Sequence, residues 1–305
     1  MLAMAQDSAL RKVQFSHADK VMWPPTPRTP AFTKLDLARH YLTVADLIVP
    51  HIACRPLSIV RAPDGLQGQQ FFQRHLGRGG HHVVAIKVAG EAKPYLSIAG
   101  VEGLIELAQT AVLEIHPWGS RPNAPDTPER IIFDIDPAPD VAFARVIAAA
   151  KDVRERLEAC GLEPFVKTTG GKGLHVVVAV KGSRSKPVSW PEVKSFARDL
   201  CFRMAEEQPD KYVAVMSKKA RSGRVFLDYL RNDRTSTAVA PWSPRARPGA
   251  PVALPLQWSQ VKSGLDPKAY DIRTAARMAK RADAWKDLAR SAGSLAAAQR
   301  KLVRL

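Results

Sequence analysis

The sequence predicts a mixed α/β body, α+β in the order of its segments, with two lobes sharing one cleft. Segments of helical and of strand periodicity follow one another along the chain, and proline-dense loops interrupt them without any linker long enough to mark a clean boundary. The composition, 46% hydrophobic and 25% charged, is that of an ordinary globular core and excludes a disordered, collagen-like or disulfide-scaffold chain. With 305 residues the chain can form one large domain or two ordinary ones.

Residues 1–12 read as a mobile lead-in, and WPPTPRTP at 23–30 as an extended loop, because its prolines cannot occupy a helix interior. Thr33 is an N-cap candidate for a helix in which Leu35, Leu37, Ala38, Tyr41, Leu42, Ala45 and Ile48 recur at helical spacing until Pro50. The stretch 56–75 reads as strand, Pro-Asp-Gly turn and strand, 101–110 as helix, 112–116 as extended, and 117–128 as another proline-rich loop. IIFDIDP at 131–137 is a buried strand, followed by an alanine-rich helix from about 142 to 160 that Gly161 closes. In 164–180, β-rich flanks surround Gly170, Gly171 and Gly173, and a helix from about 191 to 207 follows. VFLDYL at 225–230 is a further strand, 241–255 is extended, proline-dense and basic, and 267–305 reads as basic helix.

The charge is the unusual number: 46 Lys plus Arg against 29 Asp plus Glu gives a formal +17. A polyanion is the expected partner, a phosphate backbone first and an anionic membrane surface as the alternative. Cys54, Cys160 and Cys201 have no metal-ligand spacing and read as small core residues in a reducing compartment. No stretch approaches the roughly 18 apolar residues of a membrane span. A cytoplasmic location is expected, with no membrane partner.

Asp134 and Asp136 carry the sharpest chemistry, since residues i and i+2 of a strand share a face about 6.6 Å apart while Ile131, Phe133 and Ile135 take the other. Two such carboxylates repel unless cations sit between them, and hard oxygen ligands select Mg²⁺ or Mn²⁺. They could equally cap the turn after the strand. Asp228, with Phe226 and Leu230 on its own face, is either a surface-facing aspartate or the third ligand of a site for two metal ions about 3.5–4 Å apart, as in phosphoryl transfer. The loop from Lys167 to His175 lacks the order of a Walker A motif, yet it offers amides, hydroxyls, Lys172 and an imidazole where glycines permit close approach to phosphate. His175 enters the next strand facing the cleft, or is a satisfied structural histidine. Arg231, Arg234, Arg245 and Arg247 follow Asp228, and the prolines of SPRARP would hold Arg245 and Arg247 extended as a binding surface.

Read in order, IIFDIDP, KTTGGKGLH, VFLDYLRND and STAVAPWSPRARPG give the chain, from roughly Val13 to Trp285, a resemblance to the polymerase domain of bacterial DNA ligase D, within the archaeo-eukaryotic primase superfamily. The resemblance implies a two-lobed primase-type fold with an RRM-like catalytic sheet. Within a single domain of 13–290 it places an N-terminal lobe at about 13–128, a catalytic lobe at about 129–258 and a C-terminal helical stretch, before a basic tail at 291–305. It implies that Asp134, Asp136 and Asp228 bind two Mn²⁺ or Mg²⁺ ions. It also implies that Thr169, Gly170, Lys172 and His175 hold the nucleotide phosphates, that Arg231 and Arg245 contact the triphosphate or align the primer, and that His116 lies beside the nucleotide. Thr169 stands where such domains often have Ser. Phe71 and Phe72 match an aromatic pair that stacks on a template base, and strand alternation predicts that one of them is core. Lys20 and Lys34 match lysines holding a 5′-phosphate across a gap, and Arg221 a loop residue engaging the primer side or a partner DNA end. Val60-Arg61 departs from the Lys-Arg pair of some lineages.

The implied activity is template-directed addition of nucleotides, ribonucleotides preferred over deoxyribonucleotides, to DNA ends or gapped duplex during end joining, at the nucleoid. The implied partners are Ku and a separate or fused ATP-dependent DNA ligase. No K-x-D-G adenylation motif occurs, so the chain is expected to be a free-standing polymerase or an excised domain. The rivals are a de novo primase, a non-catalytic DNA-end binding module and a metal-dependent nuclease.

Overall fold

The computed structural model of the chain describes residues 10, 12–76, 80–183, 185–281 and 283–305, and of Lys218 the backbone alone. Most of the expected lead-in at 1–12 lies outside the described residues. The chain forms two compact units, one of Met1–Asn123, Thr237–Leu254 and Lys268–Asp283, the other of Ala124–Ser236, Pro255–Pro267 and Ala284–Leu305.

In the first unit β1 (Val21–Trp23) pairs with β2 (Phe32–Thr33) and leads into α1 (Lys34–Ile52). Thr33 caps this helix as its residue type predicts. Its hydroxyl accepts from the Asp36 amide at 3.2 Å while the Asp36 carboxylate accepts from the Thr33 amide at 2.8 Å, so two amides that helical bonding leaves orphaned are satisfied together. Leu37, Tyr41, Val44 and Ile48 form the buried stripe, and the helix runs two residues beyond Pro50. A five-stranded sheet follows, of β3 (Leu57–Arg61), β4 (Phe71–Gln73), β5 (Val83–Ile86), β6 (Tyr95–Ile98) and, after α2 (Val101–Gln109), β7 (Val112–Pro117). β3 pairs with β4, β6 and β7.

The segment Thr237–Leu254, expected in the catalytic lobe, belongs to the first unit. Hydrogen bonds to β7 hold it there: the Ala240 amide donates to Ile115 O at 2.9 Å and the Ile115 amide donates to Ser243 Oγ at 3.0 Å. The buried imidazole of His40 on α1 also reaches it, Nε2 lying 2.9 Å from Trp242 O and Nδ1 3.1 Å from Ile272 O.

The second unit is a β-α-β-β-α-β arrangement of β8 (Arg130–Pro137), α3 (Phe143–Ala159), β9 (Pro164–Thr168), β10 (Leu174–Lys181), α4 (Trp190–Glu207) and, after β11 (Tyr212–Val213), β12 (Val225–Asp228). The sheet order β11-β12-β8-β10-β9 places the four strands of that motif as fourth, first, third, second, the RRM-like sheet the resemblance implies. Gly161 ends α3 in the left-handed region at φ +79°, with its amide donating to Glu158 O and that of Leu162 to Leu157 O, the paired closure only a residue without Cβ adopts at no cost. Ser189 and Glu192 cap α4 reciprocally.

Three expectations of the sequence are corrected. The basic C-terminal stretch is not one helix but two, Ile272–Met278 and Leu295–Leu302, because Trp285 and Leu288 turn inward onto Phe165, Val177 and Ala179, and Gly293–Ser294 then pairs with the end of β10. VFLDYL is strand only to Asp228, where the carboxylate accepts the Leu230 amide at 2.8 Å and turns the chain. Cys160 and Cys201 are buried, but Cys54 is exposed in the turn after α1, its backbone left-handed at φ 54°. Among the described residues no helix is long and apolar enough to cross a membrane.

Candidate active site

Strand register assembles the site in the second unit. Asp228 on β12 lies opposite Asp134 on β8, Asp134 opposite His175 on β10, and His175 opposite Lys167 on β9. Directly paired residues share a face, so four side chains line one rung across four strands, and Asp136 joins them two residues along β8. Ile131, Phe133 and Ile135 face the other way and are buried.

The rung crowds negative charge into a place with little water. Asp134, Lys167, His175 and Asp228 are all buried. Burial and the neighbouring Asp134 push the Asp136 carboxyl up to about 6, and the same two causes raise Asp228. Asp134 goes the other way: burial alone would raise it, but His175, Arg231 and Lys167 together hold it down. His175 Nε2 lies 3.3 Å from Asp134 Oδ1. The Arg231 Nε stands between two carboxylates, 3.6 Å from Asp134 Oδ2 and 3.5 Å from Asp228 Oδ2. Asn232 fixes the segment that carries it, accepting the Ile132 amide at 2.8 Å and donating to Ile132 O and Tyr229 O.

Hard divalent cations suit this donor set, three carboxylates in which burial and the charge of Asp134 disfavour the ionised form of the other two. Among the described residues no three His, Cys, Asp or Glu side chains are arranged to hold a metal ion as they stand, and the basic groups of His175 and Arg231 lie 3.3–3.6 Å from the carboxylate oxygens.

The glycine loop closes on Thr169, whose hydroxyl donates to Gly173 O and accepts the Gly171 amide, both at 3.2 Å. Gly170 is left-handed at φ +65°, and a Cβ on Gly173 would lie 2.5 Å from Ile135 O, so the loop packs directly on β8 beside Asp136. Lys172 folds back, its Nζ donating to Pro137 O at 2.6 Å, and its charge lowers Asp136. Arg221 does not reach outward from its loop: its guanidinium lies 3.6 Å over the Phe226 ring, the residue paired with Asp136. Arg234 turns away to Asp126, at 2.8 Å.

The first unit holds the remaining candidates. His116 and Arg245 meet at Glu114, whose Oε2 is 2.8 Å from His116 Nε2 and 3.0 Å from Arg245 Nε, while its Oε1 accepts the Ala246 amide at 2.8 Å. SPRARP is extended only in its first half, contrary to the sequence expectation for Arg247: Pro244 bridges Val252 and the Arg245 amide donates to Pro251 O, and the chain then bends at Ala246 and Arg247 and turns back through Gly249 and Ala250, both at positive φ. Lys34 is buried, its Nζ donating to Ser16 O at 2.9 Å, and Lys20 pairs with Asp64 at 3.1 Å. The two lysines line a hollow of about 200 Å³ with His17 and Arg61, and burial and the charge of Lys20 lower the Lys34 pKa.

Strand alternation leads to a wrong expectation for Phe71 and Phe72. Neither is core: they are 43% and 56% exposed, because β4 is a three-residue strand with both faces open at that point. The Arg74 guanidinium lies 5.3 Å from the Phe72 ring. Sequence reasoning did not single out Glu114, Lys167 and Asn232. Glu114 had a usable signal, since it is two residues before His116 on one strand, whereas Lys167 gains its place only from strand register and Asn232 only from its hydrogen bonds to Ile132 and Tyr229.

Comparison with known proteins fits this geometry. Residues 33–285 match the family described as LigD, primase-polymerase domain. The multifunctional non-homologous end joining protein LigD of Pseudomonas aeruginosa is 32% identical over 98% of this chain and 35% of its own length. The bifunctional LigD of Bacillus subtilis is 24% identical over 86% of the chain and 42% of its own length, so the chain spans well under half of either relative. The polymerase domain from Mycobacterium tuberculosis ligase D, solved in complex with DNA, superposes with a TM-score of 0.80 at 30% identity, over 91% of this chain and 98% of that one. The mixed α/β fold, the carboxylate rung and these matches together establish that the chain belongs to the LigD primase-polymerase domain family.

Proposed function

We propose that the protein is a metal-dependent nucleotidyltransferase that adds templated nucleotides to DNA ends or across short gaps during non-homologous end joining. The observation that carries the reading is the rung on which Asp134, Asp136 and Asp228 share one face while Arg231 stands between two of them. Asp134, Asp136 and Asp228 would hold Mn²⁺ or Mg²⁺, and bound metal would supply Lewis-acid stabilisation of the charge on the transferring phosphoryl group. Arg231 and Lys172 balance charge on the triphosphate, the turn closed by Thr169 presents its amides to phosphate oxygens, and His175 orients Asp134. Lys20 and Lys34 offer the hollow of about 200 Å³ to a 5′-phosphate, and exposed Phe71 and Phe72 offer π-faces to a template base.

Ribonucleotides are the preferred substrate in this reading, Ku and an ATP-dependent ligase its partners, and the nucleoid its place of action. The test is extension of a labelled primer across a short gap with a downstream 5′-phosphate, with Mn²⁺ and separate NTP and dNTP pools. Templated addition that disappears in the Asp134→Ala, Asp136→Ala protein supports the reading, and undiminished extension by that protein would sink it. Synthesis on unprimed single strands would point to a primase instead, and metal-indifferent DNA binding without addition to an end-binding module.

A further inference from the structure

The helix Ile272–Met278 of the first unit is buried on one side and cationic on the other. Asp271 caps it, accepting the Arg273 amide at 2.9 Å and the Thr274 amide at 2.7 Å, and Ile272 and Ala275 are buried. Its start is fastened to α1, where His40 Nδ1 lies 3.1 Å from Ile272 O, and to the segment 237–254, whose Val252 amide donates to Tyr270 O at 2.7 Å. Arg273, Arg277, Lys280 and Arg281 are all exposed. Helical spacing aligns 273, 277 and 280, and Arg281, whose amide donates to Met278 O at 3.0 Å, extends the row to about 12 Å at 1.5 Å per residue. Arg273 is partly committed, its guanidinium 3.8 Å from Asp36 Oδ1 and 5.1 Å from the Phe32 ring. Among the described residues, no carboxylate lies in ion-pair reach of Arg277, Lys280 or Arg281. A cation in the last turn favours the negative end of the helix dipole, and Arg277 alone supplies it. Lys280 and Arg281 lie beyond that end, so their charge has no structural answer within the fold.

We propose that this row of cations is a contact surface for the phosphate backbone of duplex DNA, distinct from the aspartate rung and indifferent to metal and to base sequence. It goes beyond the proposed activity and rests only on DNA being the partner in that reading. Duplex DNA carries one negative charge per about 1.7 Å of its axis, so a row of this length faces roughly seven phosphates. Exposed cations without carboxylate partners release counterions from DNA without first giving up an ion pair. An anionic membrane surface fits less well, because a helix lying in a membrane needs an apolar face at its surface, and Ile272 and Ala275 are turned into the fold.

The test is fluorescence anisotropy of the full chain on an ungapped hairpin duplex in chelator, over about 50–200 mM salt, beside Tm and steady-state gap filling. The proteins are wild type, the triple variant Arg277→Gln, Lys280→Gln, Arg281→Gln, and a control of equal charge change at exposed residues elsewhere, Lys87→Gln, Lys93→Gln, Lys262→Gln. The triple variant is expected to bind duplex at least about tenfold more weakly at ~0.1 M salt, and to flatten the slope of log affinity against log salt by about 2–3, close to 0.9 per lost phosphate contact. The loss should be the same on duplexes of unrelated sequence, with Tm and kcat at saturating DNA in place. The control should move the slope by less than about 1. If the triple variant does not fold, Lys280→Gln alone replaces it, with an expected slope change of about 1. An unchanged slope, an equal change in the control, a loss confined to one duplex sequence, or a loss on phosphatidylserine–phosphatidylcholine vesicles with duplex binding intact would overturn the inference and leave the polymerase reading standing. A wild-type protein that binds duplex through these cations but adds no nucleotide would overturn the polymerase reading and leave the contact surface in place.

Discussion

Glu114 in the first unit and the aspartates of the second are both buried acidic sites, yet the protein surrounds them in opposite ways. Glu114 has an imidazole, a guanidinium and an amide as partners, and although burial by itself pushes its carboxyl up, His116, Arg245 and the Ala246 amide hold it at about 2. Asp136 and Asp228 are raised by burial and by Asp134, and Lys172, Arg231 and Arg221 offset only part of that rise. The first site is electrically finished within the chain. In the second, Arg231, Lys167 and Lys172 act on the three carboxylates, and burial still leaves two of the three carboxyls raised. The difference teaches that a buried acid is informative through its neighbours: a satisfied one organises other side chains, and an unsatisfied one waits for a ligand.

The largest effect should come from breaking the unfinished site. Asp134→Ala with Asp136→Ala is expected to lower gap filling by at least about a thousandfold, measured as kcat/KM. In chelator, however, Asp136→Asn should stabilise the fold. A carboxyl raised from 3.8 to about 6 costs stability as pH climbs through that window, so at pH 8 the neutral variant should gain on the order of 1–2 kcal/mol by urea denaturation.

Glu114 should show the reverse sign. Its folded pKa is depressed, so its contribution is present above about pH 4.5 and fades as pH falls toward 2. On the order of 3 kcal/mol of the first unit's stability should be lost over that range, and the acid-unfolding profile of Glu114→Gln should be flatter there. Next in size, Gly173→Ala forces a Cβ to within 2.5 Å of Ile135 O, and should cost about 1–3 kcal/mol of stability along with nucleotide affinity. Phe72→Ala should leave Tm unchanged, as befits an exposed ring, and weaken binding to gapped DNA by about 1–2 kcal/mol, read by anisotropy.

How much of this was legible depends on whether a residue's role lies along the chain or across it. The period-2 alternation of IIFDIDP put Asp134 and Asp136 on one face, and Thr33 and Gly161 mark helix ends through their own chemistry. The partnership of Asp134 with Asp228, His175 and Lys167 is a matter of strand register, which hydrogen bonds between distant segments decide. The return of 237–254 to the first unit was hidden for the same reason, since proline density reports stiffness but not destination. Phe71 and Phe72 show the limit of alternation itself, which says that neighbours face apart and not that either face is covered.

The central claim is that the aspartate rung is completed by a divalent cation, and the most direct measurement is the Tm of wild type and of the Asp134→Ala, Asp136→Ala protein across a Mn²⁺ titration after chelator treatment. The account predicts a saturable rise in the wild type and none in the variant. A wild-type Tm indifferent to Mn²⁺, or an equal rise in both proteins, would contradict it.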